Sequence, residues 1–592
     1  MCGIVGIFGK SDSEAIPKML RAIEHRGRDD TFSVSGGNYA LGVQRLSIID
    51  VQGGRQPITN EDGSITVCQN GEIYNYPELM ERLVKFGHVF KSRCDTEVLV
   101  HLYEEYGEDF VKQLNGMYAI AIWDGKKRKG ILARDRMGEK PLYYMENDGC
   151  LYFASEIKAL LTLPFVKREI NYEAIHHYLS YKHVPCPMTM FRNIHMLQPA
   201  QYLVYQNGNY MTDTYWRLDY NSKKTENMAE REIVDELLKL LKQGIKRRLV
   251  ADVPIGFYLS GGVDSSLAVA LASEMSDKPL ETFTLVYPVA SIGKKTDQDN
   301  ARLVAKRFHS NHHELPIDFN HLPDYFPKII SCFDQPYAGV ISSYFLAREI
   351  RKSGYKVALS GDAADEIFGN YLSHRMSVEP HSEKDWEWRS KLFVFTEDEK
   401  RRLYSPEFAE IMGGYDTAEH FRGYFKGLEN ADPLNRMLGA EFRGIFPDQV
   451  LEYADKLSMA HNLEVRASYL DHEFVEFSTG LSGEWKIRNG VTKYILKKAA
   501  ERHLPKGIVY RAKEGFLLPI TEWYYHNLRS YVEDILSETE LAKHGLFNPE
   551  YVRYLIRDFY NNSYDYRKGN RLHSLIAFQV WWDSYIGKNA DV

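Results

Sequence analysis

Apolar positions along the chain change period as it advances. Ile4 to Phe8 alternate as a short strand interrupted by glycines, the pattern of a residue run at the mouth of a sheet. Residues 171–216 read as mixed strand and turn, punctuated by Pro185, Pro187 and Pro199. Tyr220 to Ala229 are polar and charged and mark a connector. From Glu232 to Leu249 the spacing is helical, with Ile233, Leu237, Leu238, Leu241 and Ile245 on one face. A strand-helix alternation follows: the strand Val253–Phe257 and the helix-like run Leu267–Ala272, the strand Thr282–Tyr287 and a helix around Ala301–Phe308, then the short strand Lys356–Leu359. Such alternation predicts a parallel sheet with ligands at the carboxyl ends of its strands. A chain of 592 residues is too long for one core. The pattern divides it into a domain at 1–210, a connector at 211–230 and a second domain at 231–592.

Composition narrows the function classes. Hydrophobic residues at 44% and charged residues at 26% are ordinary for a soluble globular protein. A net charge of -7 with both signs mixed gives no nucleic-acid footprint, and the short clusters at Lys126–Lys129 and Lys246–Arg248 read as solvated turn or helix faces. Six scattered cysteines form no Cys-x-x-Cys pair, so neither a zinc knuckle nor a disulfide framework is predicted. No run approaches the roughly 20 apolar residues that span a bilayer, and the first residues lack a basic leader. A cytoplasmic protein without membrane or nucleic-acid partners is expected.

Two stretches carry chemistry. Tyr258-Leu259-Ser260-Gly261-Gly262-Val263-Asp264-Ser265-Ser266 joins an apolar strand to a helix, which aims backbone N–H groups and the helix dipole at one point. The glycines let an anion approach, the hydroxyls of Ser260, Ser265 and Ser266 can donate to it, and Asp264 offers a carboxylate to a phosphate-bound Mg²⁺. A lone Gly-Gly between strand and helix is usually only a turn, but this stretch resembles the pyrophosphate loop of N-type ATP pyrophosphatases. The second stretch is Cys2: with Met1 removed it carries a thiol and an α-amine together, a nucleophile beside a general base of pKa roughly 8.

The context of Cys2 sharpens its meaning. Met1–Gly6, His25–Asp29, Gln44–Asp50, Asn70–Asn75, Cys94–Glu97 and Leu114–Ala119 follow in order. Together they resemble the N-terminal-nucleophile glutaminase domain of class II amidotransferases. Ala133–Arg136, Lys140–Tyr144 and Phe153–Leu160 narrow this to the asparagine synthetase family. Ser360–Tyr371, Asp455–Ala460, Leu463–Arg466, Tyr469–Asp471, Thr492–Lys497, Arg511–Phe516 and Pro519 to Trp523 extend the resemblance over nearly the whole chain.

That resemblance implies an α+β N-terminal-nucleophile hydrolase sandwich, followed by an α/β parallel-sheet ATP-pyrophosphatase domain of the adenine nucleotide alpha hydrolase-like type. It implies that Cys2 attacks glutamine and that Asn70 and Gly71 form the oxyanion hole. Arg45, Val51, Glu72 and Asp95 would hold glutamine's α-carboxylate and α-ammonium. ATP would lie against Leu259, Ser260, Gly261, Gly262, Asp264, Ser265, Val286, Ser360 and Gly361, with Mg²⁺ on Asp264 and Asp365. Lys493 would stabilise charge during adenylation and Asp362 would assist amide formation. Leu463–Arg466 would lie on a helical platform beneath the site, with Glu464, Arg466 and Asp471 in a buried ion network, and Lys493 in isolation would face solvent.

Several positions depart from the family pattern. Arg28 replaces proline, Gln44 and Cys94 replace the commoner His and Ser, and Asp362 stands for a glutamate one methylene longer. In the acceptor region Gln335 stands for glutamate, and the 338–343 loop is short and lacks a second acid. The expected partners are small molecules: glutamine, ATP and an acceptor carboxylate, with a homodimer allowed. Aspartate is the default acceptor. A uronate or a biosynthetic intermediate, an intramolecular amide-forming synthetase, and a degenerate nucleotide-binding regulatory homologue are the other readings.

Overall fold

The structure is a computed structural model that describes residues 2–220, 225–286, 295–317, 322–511 and 518–587. Met1, Tyr287 and the 512–516 part of the Arg511–Phe516 motif lie outside the described residues. The first unit contains β1 (Gly3–Phe8), β2 (Asp30–Gly36), β3 (Tyr39–Arg45), β4 (Ile58–Thr59), β5 (Ile65–Ile73), β6 (Gly116–Asp124), β7 (Lys129–Arg134), β8 (Tyr143–Asn147), β9 (Cys150–Ala154), β10 (His195–Met196), β11 (Gln201–Gln206) and β12 (Asn209–Thr214). They form two six-stranded sheets, ordered β10-β8-β9-β1-β3-β2 and β12-β11-β7-β6-β5-β4, with antiparallel pairing throughout. The alternation in β1 explains the stacking. Ile4 and Phe8 enter a core with Cys68, Ala119, Ala121 and Trp123 of the other sheet. Val5 and Ile7 face the opposite way, onto Ile16, Met19 and Leu20 of the helix Ala15–Ala22. Beyond the second sheet, Val67, Ile120 and Ile122 pack on the helices Tyr76–Phe86 and Glu97–Tyr106. The result is the expected helix-sheet-sheet-helix sandwich.

The second unit is built on β13 (Ile255–Tyr258), β14 (Glu281–Val286), β15 (Asn311–Pro316), β16 (Val357–Ser360) and β17 (Glu464–Ala467). These strands form one parallel sheet in the order β15-β14-β13-β16-β17. The chain runs outward from β13 to β15 and returns to lay β16 on the other side of β13. Strand order therefore reverses between β13 and β16, the switch point at which the two following loops diverge and leave a crevice. Helices fill most of the remainder.

Two expectations fail locally, each through tertiary context. The stretch Leu463–Arg466 contains strand β17 where a helical platform was expected, because Val357–Ser360 supplies an open sheet edge that pairs with Glu464–Ala467. Lys246–Arg248 is not a solvated face: Arg248 is 1% exposed, because the last turn of the helix Glu230–Arg248 is inserted between the units, with its guanidinium 4.9 Å from the centre of the Tyr74 ring. The polar connector is also anchored, since Tyr220 and Thr225 are buried and Thr225 Oγ1 donates to the Gly480 carbonyl at 3.1 Å. Among the described residues no helix is long and apolar enough to cross a membrane.

Candidate active sites

Cys2 enters β1 at 5% exposure, and its N–H donates to Asn70 Oδ1 at 3.3 Å. Burial pushes the thiol's pKa up, and a backbone donor at Leu46 and the charge of Arg45 oppose it. Asn70 and Gly71 lie on β5 of the facing sheet. Asn70 Nδ2 is buried with no partner among the described residues, which leaves a donor for a ligand oxygen. Gly71 has φ 143, and a Cβ there would come within 2.0 Å of the Met117 carbonyl oxygen, so the strand can pass only as glycine.

The other predicted glutamine contacts gather around this strand. Asp95 accepts from Gln69 Nε2 at 2.6 Å and from the Ile73 N–H at 2.8 Å. Burial raises the pKa of both Asp95 and Glu72, and Glu72 is raised further by its neighbours Asp95 and Glu464. Glu72 Oε2 has no hydrogen-bond partner among the described residues. An ammonium brought to this pair would relieve both carboxylates. Arg45 is 3% exposed and donates to the carbonyls of Val51 at 3.1 Å and Asp50 at 2.8 Å, so Val51 takes part through its backbone while its side chain is exposed. Among the departures, Gln44 is occupied away from the thiol, donating to the Leu20 carbonyl and accepting from Thr31. Arg28 is exposed.

The second site occupies the switch point. A cavity of about 1130 Å³ is lined by Leu259, Ser260, Gly262, Asp264 and Ser265 after β13, by Ser360, Gly361, Asp362 and Asp365 after β16, and by Lys493. That exceeds the roughly 300–1,000 Å³ of an ordinary ligand pocket and leaves room for two ligands side by side. Gly261 and Val286 do not line it; Thr284 and Leu285 represent β14 there instead. Hydroxyls set the loop: Ser265 Oγ lies 3.2 Å from the Ser260 N–H and 3.1 Å from Ser260 Oγ, while the Gly262 N–H donates to Ser260 Oγ at 3.3 Å. The helix Val263–Ser273 begins immediately beyond. Gly361 closes on it so tightly that a Cβ would stand 2.9 Å from Ser265 N.

Lys493 is buried rather than solvent-facing. Its ammonium lies 2.6 Å from Asp264 Oδ2 and 2.5 Å from Asp365 Oδ1. Burial works against this charge, but the two carboxylates outweigh it and hold the lysine's pKa above its ordinary value. Asp264 and Asp365 thus share the Lys493 ammonium, and two carboxylates held this close are also a donor set that suits a phosphate-bound divalent ion beside it. Asp362 accepts from Ser360 Oγ at 2.7 Å and from the Tyr453 hydroxyl at 3.3 Å. Burial raises its pKa against those donors.

Sequence reasoning missed the residues that tie the sites together. Arg26, fully buried, donates from Nε to the Cys2 carbonyl at 3.3 Å and lies 2.8 Å from both Glu156 and Asp455. Lys140 reaches the same Asp455 at 3.3 Å, and Tyr143 donates to Glu452 at 2.9 Å. Ser155 Oγ accepts from the Ile4 N–H at 3.0 Å. The motifs around Arg26 and Ser155 were visible, but their role is to fix the strand behind the thiol. The predicted ion network is present: Arg466 meets Glu464 at 2.6 Å and approaches Glu72 at 3.8 Å, while Asp471 accepts from Arg247 at 2.9 Å and from Asn115 at 3.0 Å. Asn115 belongs to the first unit, so this network too crosses the interface.

Releasing ammonia in one place and activating a carboxylate with ATP in another is the division of labour of a glutamine-dependent amide ligase, the class to which this pairing of folds belongs. The asparagine synthase family model matches residues 236–583, and the glutamine amidotransferase domain model matches residues 1–216. The chain is a member of the asparagine synthase family. It is 31% identical to asparagine synthetase [glutamine-hydrolyzing] 1 of Bacillus subtilis over 99% of this chain and 97% of that protein. It is 30% identical to asparagine synthetase [glutamine-hydrolyzing] 3 of the same organism, over 94% and 93%. Among solved structures, the glutamine phosphoribosylpyrophosphate amidotransferase from B. subtilis complexed with ADP and GMP is similar over 61% of this chain and 81% of that one, at 15% identity and a TM-score of 0.28, too slight a likeness to argue from.

Proposed function

We propose that the chain hydrolyses glutamine at Cys2, adenylates aspartate with ATP, and passes ammonia inside the protein to displace AMP and form the amide. The observation that carries this reading is the convergence of Asp264 and Asp365 on Lys493 beside the Ser260–Ser265 loop, in a cavity with room for nucleotide and acceptor. In this reading Asn70 Nδ2 and the Gly71 N–H receive the oxyanion, Asp95 and Glu72 take the α-ammonium of glutamine, and Arg45 with the Val51 backbone takes its α-carboxylate. The loop residues Leu259 to Ser265, with Ser360 and Gly361, hold the triphosphate; Val286, the last residue of β14, lies outside the cavity lining and would act only through its strand. Mg²⁺ on Asp264 and Asp365 would neutralise phosphate charge. Lys493 holds the two carboxylates in place and carries positive charge to the reacting phosphate. Asp362 is positioned by Ser360 and Tyr453 to take a proton. The units we assign are 1–210 and 231–592, although β12 carries the first sheet on to Thr214.

A second reading, that the acceptor is a different carboxylate, is favoured by Lys182. This residue lines the cavity, adopts φ 70, and accepts at its carbonyl from the Ala338 N–H at 2.9 Å, which joins it to the 338–343 loop. Its ammonium has no ion-pair or hydrogen-bond partner among the described residues, and burial alone lowers its pKa, to about 8. An acceptor end that rests there is anionic. Gln335, which stands for a family glutamate, is buried outside the cavity lining and accepts from the Met190 N–H at 3.3 Å. An acceptor that carries a second anionic group, on a frame other than that of aspartate, would also fit this lysine.

The test is pyrophosphate and amide formation by the full chain with glutamine, ATP and Mg²⁺, against aspartate, succinate and a set of uronates. Product with aspartate alone supports the first reading, and product with succinate or a uronate but not aspartate supports the second. No pyrophosphate with any acceptor, together with glutaminase activity equal in wild type and Cys2→Ala, would sink both.

A further inference from the structure

On the outer side of the first unit, away from both sites described, four side chains from three segments converge. Glu61 follows β4, His88 follows the helix Tyr76–Phe86, and His101 and Glu104 lie one turn apart on the helix Glu97–Tyr106. Their ligand atoms all lie within 4.8 Å of one another. We propose that Glu61, His88, His101 and Glu104 form a structural site for a divalent transition-metal ion, with Zn²⁺ the best match.

The distances suit an ion site, with one pair, His101 Nδ1 and Glu104 Oε2 at 3.3 Å, also hydrogen-bonded. His88 Nδ1 lies 3.7 Å from Glu61 and 3.6 Å from Glu104, while His101 Nδ1 lies 3.6 Å from Glu61 and 3.3 Å from Glu104. A charge-assisted hydrogen bond would draw one such pair to about 2.7–2.9 Å and leave the others apart. Here both imidazoles address Glu104 Oε2 at similar lengths, while on Glu61 His88 faces Oε1 and His101 faces Oε2. Tetrahedral ligands about 2.0–2.1 Å from a zinc ion stand roughly 3.4 Å from each other, close to this spread. Two imidazoles and two carboxylates are also a mixed donor set that zinc accepts.

Several of the outer atoms are held as ligands usually are, while His101 Nε2 has no hydrogen-bond partner among the described residues. His88 Nε2 lies 3.0 Å from Glu105 Oε1, which selects the tautomer with Nδ1 free to ligate. Asn60 Nδ2 donates to Glu104 Oε1 at 2.8 Å, and the Val89 N–H donates to Glu61 Oε1 at 3.0 Å. His101 is buried, and the Phe90 ring stands edge-on to it at 4.6 Å, closing one side against water. Four protein ligands leave no open position, so the site is structural rather than catalytic. The ion would clamp the segment from 88 to 101, which carries Cys94 and Asp95.

The test uses the full chain, stripped with a chelator and titrated with Zn²⁺ alone, with stoichiometry read by elemental analysis and geometry read from the visible spectrum of Co²⁺ in its place. One equivalent with intense tetrahedral Co²⁺ bands is expected. Glu61→Gln, at an exposed position, and His88→Asn should each weaken binding at least about tenfold. Cys2→Ala and Asp365→Asn should keep the equivalent, which excludes the thiol and the nucleotide site as its source. No stoichiometric uptake, or uptake unaltered in Glu61→Gln and His88→Asn, would overturn the proposal.

Discussion

Replacing Gly361 by alanine adds one methyl group at the point where the two halves of the nucleotide site touch. The new Cβ would lie 2.9 Å from Ser265 N, 3.2 Å from its Cα and 3.3 Å from the Asp264 carbonyl carbon. All three are backbone atoms in the first turn of a helix, and none can swing aside as a side chain would. Restoring van der Waals separation requires that turn and the β16 loop to part by about half an ångström, an overpacking strain of about 1–3 kcal/mol. The chain absorbs that strain without unfolding, but the phosphate-binding N–H groups and Asp264 move with the turn. Since misplacement of about 1 Å can reduce a rate about 10²-fold, we expect ATP-dependent pyrophosphate release to fall at least about tenfold. Glutamine hydrolysis without ATP, at a thiol in the other unit, should stay within about twofold of wild type. The assay is pyrophosphate release at saturating ATP beside glutamate release from the same preparation. Unaltered pyrophosphate kinetics would refute the idea that this contact sets the loop, and equal loss of both activities would show a general folding defect instead.

Other substitutions probe the remaining contacts. Lys493→Met leaves Asp264 and Asp365 facing each other without their shared cation, and pyrophosphate release should drop about 10²–10³-fold while glutamine hydrolysis persists. Asp455→Ala takes one of two carboxylates from buried Arg26, which keeps Glu156, and removes the carboxylate that Lys140 reaches; the loss should be about 3–5 kcal/mol in denaturant unfolding, with glutamine hydrolysis impaired although Asp455 belongs to the other unit. Burial holds Lys182 at a pKa of about 8, below its ordinary value, so it is charged below that pH and neutral above it. The acceptor KM should therefore rise as pH passes about 8, and in Lys182→Gly, which suits φ 70, it should be high and flat with pH.

The local elements were legible where a few consecutive residues carry the signal. The alternation in β1, the passage from β13 through Ser260-Gly261-Gly262 into a helix, and the helix at 230–248 all follow from period and turn chemistry. Candidate site residues brought by short motifs came from resemblance, and the structure brings Cys2 to Asn70 and Asp264 to Lys493. What stayed hidden depends on distant pairing. Arg26 and Asp455 stand 429 positions apart, and no periodicity links them. Arg248 reads as part of a basic solvated face until the other unit covers it. β17, expected on a helical platform, is a strand because β16 offers an edge. Glu61, His88, His101 and Glu104 come from three separate segments, so cysteine spacing could not reveal them.

The buried cluster of Arg26, Lys140, Glu156 and Asp455 bears on how such a chain can be rebuilt. A unit that met its partner through scattered surface contacts could be exchanged for a relative's and dock again. Here the carbonyl of Cys2, the proposed nucleophile, hangs from a guanidinium whose counter-charge comes partly from the other unit. A chimaera that joins this first unit to a foreign second unit would have to import a carboxylate at the same place, or strand a charge beside the thiol. The two halves are therefore inherited as a matched set, and a change on one side of the seam limits what the other side can accept.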